Sequence, residues 1–148
     1  MSNLMDHVRL TAEQGDAIAQ FNLGVLCGNG LDDNGRPVTG NRTEAIAWLR
    51  KAANQGLSRA QCKLAESYAD GESQADLERA CAWFLVTMDN GDGGGRQKAR
   101  DGYENTAKKL SAEQIARAQD RAQAWTKKIR KDVDKRDREI NARLKLRV

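Results

Sequence analysis

The sequence predicts an all-α fold, a short solenoid of stacked helix pairs closed by a long C-terminal helix. Three observations predict it. Two stretches of the chain repeat themselves further along, at shifts of 35 and 41 positions. Helix-forming Ala, Gln, Arg, Lys, Leu and Glu are plentiful, whereas Pro37 is the single proline. Beyond Ser111 the apolar residues fall mostly three, four or seven apart, which draws one stripe down a continuous helix. An apolar share of 39% over 148 residues is enough for one modest core, so one folded unit is expected.

The repeats place the elements in order. Ala45 to Gly56 matches Ala80 to Gly91 at the shift of 35, and Gly15 to Gly24 matches Gly56 to Ala65 at the shift of 41. The difference lies in the loops: Gly30 to Ala45 is 15 positions and Gly71 to Ala80 is nine. First helices are predicted near Ala17–Gly28 and Arg59–Asp70, and second helices near Arg42–Gln55 and Leu77–Asn90. Each is expected to stop at a glycine, the residue that best tolerates a left-handed cap. Met5 to Gly15 aligns with Ile46 to Gly56, so the chain is expected to open on a shortened second helix of a missing repeat. The expected division is a solenoid over 1–110 (partial repeat 1–15, repeats 16–56 and 57–91, partial helix 96–110) and a capping helix with a basic tail over 111–148.

Asn41 with Glu44, and Ser111 with Gln114, have the spacing of a capping box, and Leu110 with Ile115 can form a hydrophobic staple around the second. Phe21, Leu23, Gly24 and Leu26 face Ala45, Trp48, Leu49 and Ala52, small residues where backbones approach and large ones where gaps remain. A pair of helices this short cannot bury its own apolar faces, so successive pairs must stack. Trp48 and Trp83, at equivalent positions, are read as the large anchors of successive layers.

These residues resemble the Sel-one-like repeat, a relative of the tetratricopeptide repeat. The match is Ala19-Gln20-Phe21-Asn22-Leu23-Gly24, then Gly28-Asn29-Gly30, then Ala45-Ile46-Ala47-Trp48-Leu49-Arg50-Lys51-Ala52-Ala53-Asn54-Gln55-Gly56. The second repeat departs from the pattern, with Ala65 where glycine is usual and Thr87-Met88 where an Ala-Ala pair is usual. The resemblance covers Met5 to Gly91. It implies a right-handed α–α superhelix whose concave face contacts other proteins, frequently as an adaptor in bacterial assemblies, and it implies no shared catalytic residue.

The C-terminal stretch invites three readings. Net charge is +4, yet Lys127 to Val148 alone carries +6 and the remainder −2. In the first reading, Ile115 to Ile129 caps the solenoid and Arg130 to Val148 is a solvated tail. In the second, Val133, Ile140 and Leu144 pack against another copy of the chain as a homodimer contact. The third makes the tail a phosphate-binding arm for nucleic acid or acidic lipid. Against that arm, Asp132, Asp134, Asp137 and Glu139 interleave with the bases, and no aromatic residue follows Trp125 to stack on a base.

Site chemistry is sparse. His7 is the only histidine, which leaves no basis for a multi-histidine metal centre or a serine–histidine triad. Asp32-Asp33-Asn34-Gly35 lacks the first and twelfth ligands of a calcium loop and reads as a polar turn. Gly91 to Gly95 lacks the lysine–serine pair of a phosphate loop and reads as a flexible joint. Asn41-Arg42-Thr43 is a glycosylation acceptor only in a secreted protein. Cys27, Cys62 and Cys81 are expected as reduced core residues, with a Cys62–Cys81 pair as the alternative. Met1 to Leu10 lacks the features of a secretion signal, and no stretch approaches the roughly 20 apolar residues that span a bilayer. A cytosolic location, no cofactor and no enzymatic activity are therefore expected.

The function that fits is protein binding, with the partner unidentified. Gln20, Asn22, Gln61, Lys63, Glu66 and Asp70, polar positions on first helices otherwise committed to packing, are the candidate contacts on the concave face. A dedicated inhibitor of one toxin, and nucleic-acid or membrane-surface binding through the basic tail, are the alternatives.

Overall fold

A computed structural model describes residues 4–29, 41–71, 73–91 and 93–146. Among them are seven helices and no strand: α1 (Leu4–Glu13), α2 (Ala17–Asn29), α3 (Arg42–Asn54), α4 (Ser58–Ala69), α5 (Gln74–Asn90), α6 (Gly93–Ala107) and α7 (Ala112–Leu146). The segment holding Asp32-Asp33-Asn34-Gly35 lies outside the described residues.

Helix starts follow from short polar side chains that accept the free first-turn amides. Asp16 Oδ1 accepts the Ala19 N–H at 2.8 Å, and Asn41 Oδ1 accepts that of Glu44 at 2.9 Å. Ser111 and Gln114 close a full reciprocal box, with bonds of 3.2 and 2.8 Å. Ser73 Oγ accepts the Asp76 N–H at 3.1 Å and starts α5 at Gln74, three positions ahead of the predicted Leu77.

Glycine ends helices by two routes. Gly15 and Gly56 take the left-handed conformation, with φ of 103° and 93°, as expected of caps. Gly28 instead lies within α2, and Gly91 is extended with φ −83° and ψ 158°. Gly91 is needed for closeness instead, since a Cβ there would lie 2.8 Å from the Thr87 carbonyl oxygen. Gly93 to Gly95, expected as a joint, form the first turn of α6. Poor helix formers cost less there than in a helix interior, because first-turn amides have no intrahelical acceptor.

Packing divides the interior into two clusters. Ala12, Ala19 and Leu23 form the smaller one, with Val8, Leu26, Cys27 and Trp48 against it. The larger runs from Leu49 through Leu64, Tyr68, Trp83, Phe84 and Val86 to Ala118, Ala122 and Ile129. Trp48 and Trp83 thus anchor different layers, as their spacing predicts. Each fully buried leucine in these layers contributes about 1.5–3 kcal/mol through removal of apolar surface from water. Small residues let the layers close: a Cβ at Gly24 would lie 2.8 Å from Leu49 Cγ, and one at Gly102 would run into the Phe84 ring.

The C-terminal helix packs along the solenoid and overhangs it. α7 is one helix of 35 residues, about 50 Å long, running in the same direction as α5. Gln114 Nε2 donates to Gln74 Oε1 at 2.9 Å, and Arg117 donates through Nη2 (2.6 Å) and Nε (3.2 Å) to the buried Glu78 carboxylate. The Trp125 ring stacks on Trp83 with centroids 4.6 Å apart. Further along, Ile129 and Val133 pass over the turn at Gly56, where an added Cβ would lie 3.3 Å from Val133 Cγ2. Val133 is thereby packed inside its own chain, which removes it from the predicted dimer stripe. The apolar packing of α7 ends one turn later than Ile129, at Val133, and of the exposed residues from Asp134 to Leu146 Arg136 still reaches the solenoid, its Nη1 donating to Gln55 Oε1 at 3.1 Å.

The three cysteines are free thiols, so the Cys62–Cys81 alternative does not form. Burial pushes the Cys62 thiol up to about 11, with the Glu66 carboxylate adding to it, and the Cys81 thiol up to about 12. Both stay protonated and unreactive at neutral pH.

Candidate functional site

The six polar positions expected on a binding face fall into four environments. Gln20 and Gln61, both buried, do not face solvent at all. Gln20 Nε2 donates to the Ala12 carbonyl at 3.0 Å, and Gln61 Nε2 to the Ala53 carbonyl at 3.1 Å. Their amide oxygens accept from Gln55 Nε2 at 2.9 Å and from Asn90 Nδ2 at 3.3 Å. The same two donors also reach the carbonyls of Gly15 and Gly56, each at 2.8 Å. Each glutamine thus ties the end of the preceding second helix to the end of the following one, once per repeat. A buried amide must find such partners, because leaving it unpaired costs about 1–3 kcal/mol. These two residues hold the solenoid together, and the assignment of both to a contact face is corrected accordingly.

Lys63 and Glu66 come together in a groove of about 530 Å³ crossing three successive first helices. Phe21 of α2, Leu57 at the start of α4, and Cys62 give it apolar walls, while Arg59, Lys63 and Glu66 of α4 and Lys98 of α6 supply charge. Glu66 sits between two ammonium groups, Lys98 Nζ at 3.1 Å and Lys63 Nζ at 3.9 Å, and accepts weakly from Cys62 Sγ at 3.8 Å. The hydrogen bond and charge of Glu66 hold the Lys98 ammonium above its usual range. Such exposed pairs are worth at most about 1 kcal/mol each, so they can be exchanged for a partner's groups at little cost.

Asn22 is exposed on α2 but does not line this groove. Asp70 lies apart, at the end of α4 beside Arg42 and Ser67. Phe21, Arg59 and Lys98 were absent from the sequence-based set. Phe21 reads as core because it belongs to the apolar repeat pattern, and Lys98 lies on a helix whose sequence match to the repeat is too weak to align it.

Comparison with known proteins agrees with this geometry. The Sel1 repeat profile matches residues 17–57 and 58–87. No curated protein matches the chain. Among solved structures, the chain is similar to c5321, a protective antigen present in uropathogenic Escherichia coli strains and displaying an SLR fold. Identity is 32% and the TM-score 0.72, over 91% of this chain and 27% of that one. The chain therefore spans about a quarter of the length of that antigen. Sel1 repeats serve generally as protein–protein interaction modules. Residues 17–57 and 58–87 of this chain thus match two adjacent Sel1 repeats, and nine-tenths of this chain shares its fold with an SLR structure.

Proposed function

We propose that this chain is an adaptor that holds a partner protein on its first-helix face, with the groove between Phe21, Lys63, Glu66 and Lys98 as the docking point. One observation carries the reading. Three consecutive first helices converge on a single groove whose polar groups are not consumed in holding the repeats together, unlike Gln20 and Gln61. An apolar wall beside exchangeable charges is what a protein contact needs, since hot spots combine a desolvated anchor with a polar rim. A partner captured by the intact chain is expected to bind a Phe21→Ala, Lys63→Ala, Lys98→Ala variant at least about tenfold more weakly in a calorimetric titration. Undiminished binding by a variant with unchanged helix content rejects the groove.

A second contact is supported by the overhang of α7. Ile140 and Leu144, one turn apart, are large apolar residues left 45% and 55% exposed. We infer that they meet the same pair on a second copy, now without Val133. Sedimentation should show a weight-average mass above one chain that returns to one chain in Ile140→Glu, Leu144→Glu; a single-chain mass for the unaltered protein at high concentration sinks the idea.

A further inference from the structure

A second concavity, of about 420 Å³, opens on the second helices, away from the first-helix groove. Its lining comes from four helices: Arg50 from α3, Tyr68 from α4, Arg79 and Trp83 from α5, and Arg121, Trp125 and Lys128 from α7. The charge is one-sided, with four cations and no carboxylate among the lining residues. Only Arg79 has an acidic neighbour, Asp76 at 3.0 Å, and that carboxylate is shared with Arg42 at 3.2 Å. Arg50 spends its contact on the Tyr68 hydroxyl. Arg121 and Lys128 have no ion pair among the described residues.

Gathering like charges around one cleft is unfavourable by itself, and an anion seated there relieves the repulsion. The floor is preorganised. Trp83 is held by its stack with Trp125, and the Arg50 and Arg79 guanidiniums each lie 5.9 Å from the Tyr68 ring centroid, which restrains both forks. Guanidinium forks pair in bidentate fashion with carboxylates, and the indole and Ile129 edges accept an apolar side chain beside them. Nucleic acid is the poorer fit. Trp83 is only 3% exposed with one face covered by Trp125, which leaves no open ring pair for a base, and along the basic stretch of α7 that leads away from the cleft Asp132, Asp134, Asp137 and Glu139 interleave with the bases.

We propose that this second-helix cleft binds an acidic peptide segment of a partner protein, its carboxylates meeting Arg50, Arg121 and Lys128. This rests on the reading of the chain as a protein-binding adaptor but uses a different face. The test is fluorescence anisotropy with a labelled glutamate-rich peptide and a twin in which every glutamate is glutamine. Binding of the acidic peptide, its weakening by salt, and a loss of at least about tenfold in Arg121→Glu, Lys128→Glu are expected. Both substituted residues are exposed on α7, and circular dichroism checks that the variant remains folded. The Phe21→Ala, Lys63→Ala, Lys98→Ala variant should bind the acidic peptide unchanged. If that variant loses the peptide, the second-helix cleft is rejected while the adaptor reading stands. Equal binding of the glutamine twin, indifference to the charge reversal, or tighter binding of a single-stranded oligonucleotide through the same two residues each overturns the proposal.

Discussion

Replacement of Trp83 by alanine is expected to destabilise the chain by about 3–5 kcal/mol, the largest effect of any single truncation in this fold. Trp83 is buried in the main cluster and carries the stack on which Trp125 rests. Its loss therefore opens a cavity in α5 and removes the platform that positions the middle of α7. A domain of this size is stable by only about 5–15 kcal/mol, so the change consumes a large part of the total. Urea unfolding followed by circular dichroism measures it. Trp125→Ala should cost less, because Trp125 is half-buried and its removal leaves the α4–α5 packing in place. Equal costs for the two substitutions, or a Trp83→Ala cost below about 1 kcal/mol, would show that the layers do not depend on this anchor.

The second large effect lies where α2 crosses α3. Leu49 is fully buried, and its truncation to alanine is expected to cost about 2–5 kcal/mol. Gly24→Ala should cost about 1–3 kcal/mol by overpacking, because the new Cβ would lie 2.8 Å from Leu49 Cγ and 3.2 Å from the Ala45 carbonyl oxygen. The two are opposite errors at one contact. In the double variant the added methyl enters space that the leucine has left, so the combined cost should fall below the sum by at least about 0.5 kcal/mol. Strict additivity in a double-mutant cycle would mean that Gly24 is required for some reason other than its approach to Leu49.

Much of the fold was legible because the information was local. Repeat shifts, capping residues and apolar spacing all act within a turn or two of helix, and Asn41, Ser111, Gly15 and Gly56 behave as their residue types dictate. The departures have one character. Gly91 has the composition of a left-handed cap but takes an extended conformation, and what requires glycine there is the lack of room for a Cβ beside the Thr87 carbonyl. Gly93 to Gly95 have the composition of a joint and start a helix instead.

The candidate site was legible only in part. Lys63 and Glu66 were read from their place on a first helix, and both line the groove. Gln20 and Gln61 were read as surface because a glutamine on a helix gives no local sign of which carbonyl it will meet. Its carbonyl acceptor lies on the helix before it and the amide that donates to it at the end of the helix after it, and only the stacking of repeats brings them within reach. The four cations of the second-helix cleft are scattered over positions 50, 79, 121 and 128, and no spacing rule connects them.

The sequence by itself determined that this chain folds as stacked helix pairs, where those pairs begin, and that a long amphipathic helix follows them. These properties are written in periodicity and in capping chemistry, both of which act along one segment. Tertiary structure alone decided which polar side chains are mortar and which are surface, where the apolar packing of α7 on the solenoid ends, at Val133, and which charges from distant segments share a cleft. Those outcomes depend on distances between helices that are set by packing, and packing distances are carried by no single stretch of sequence.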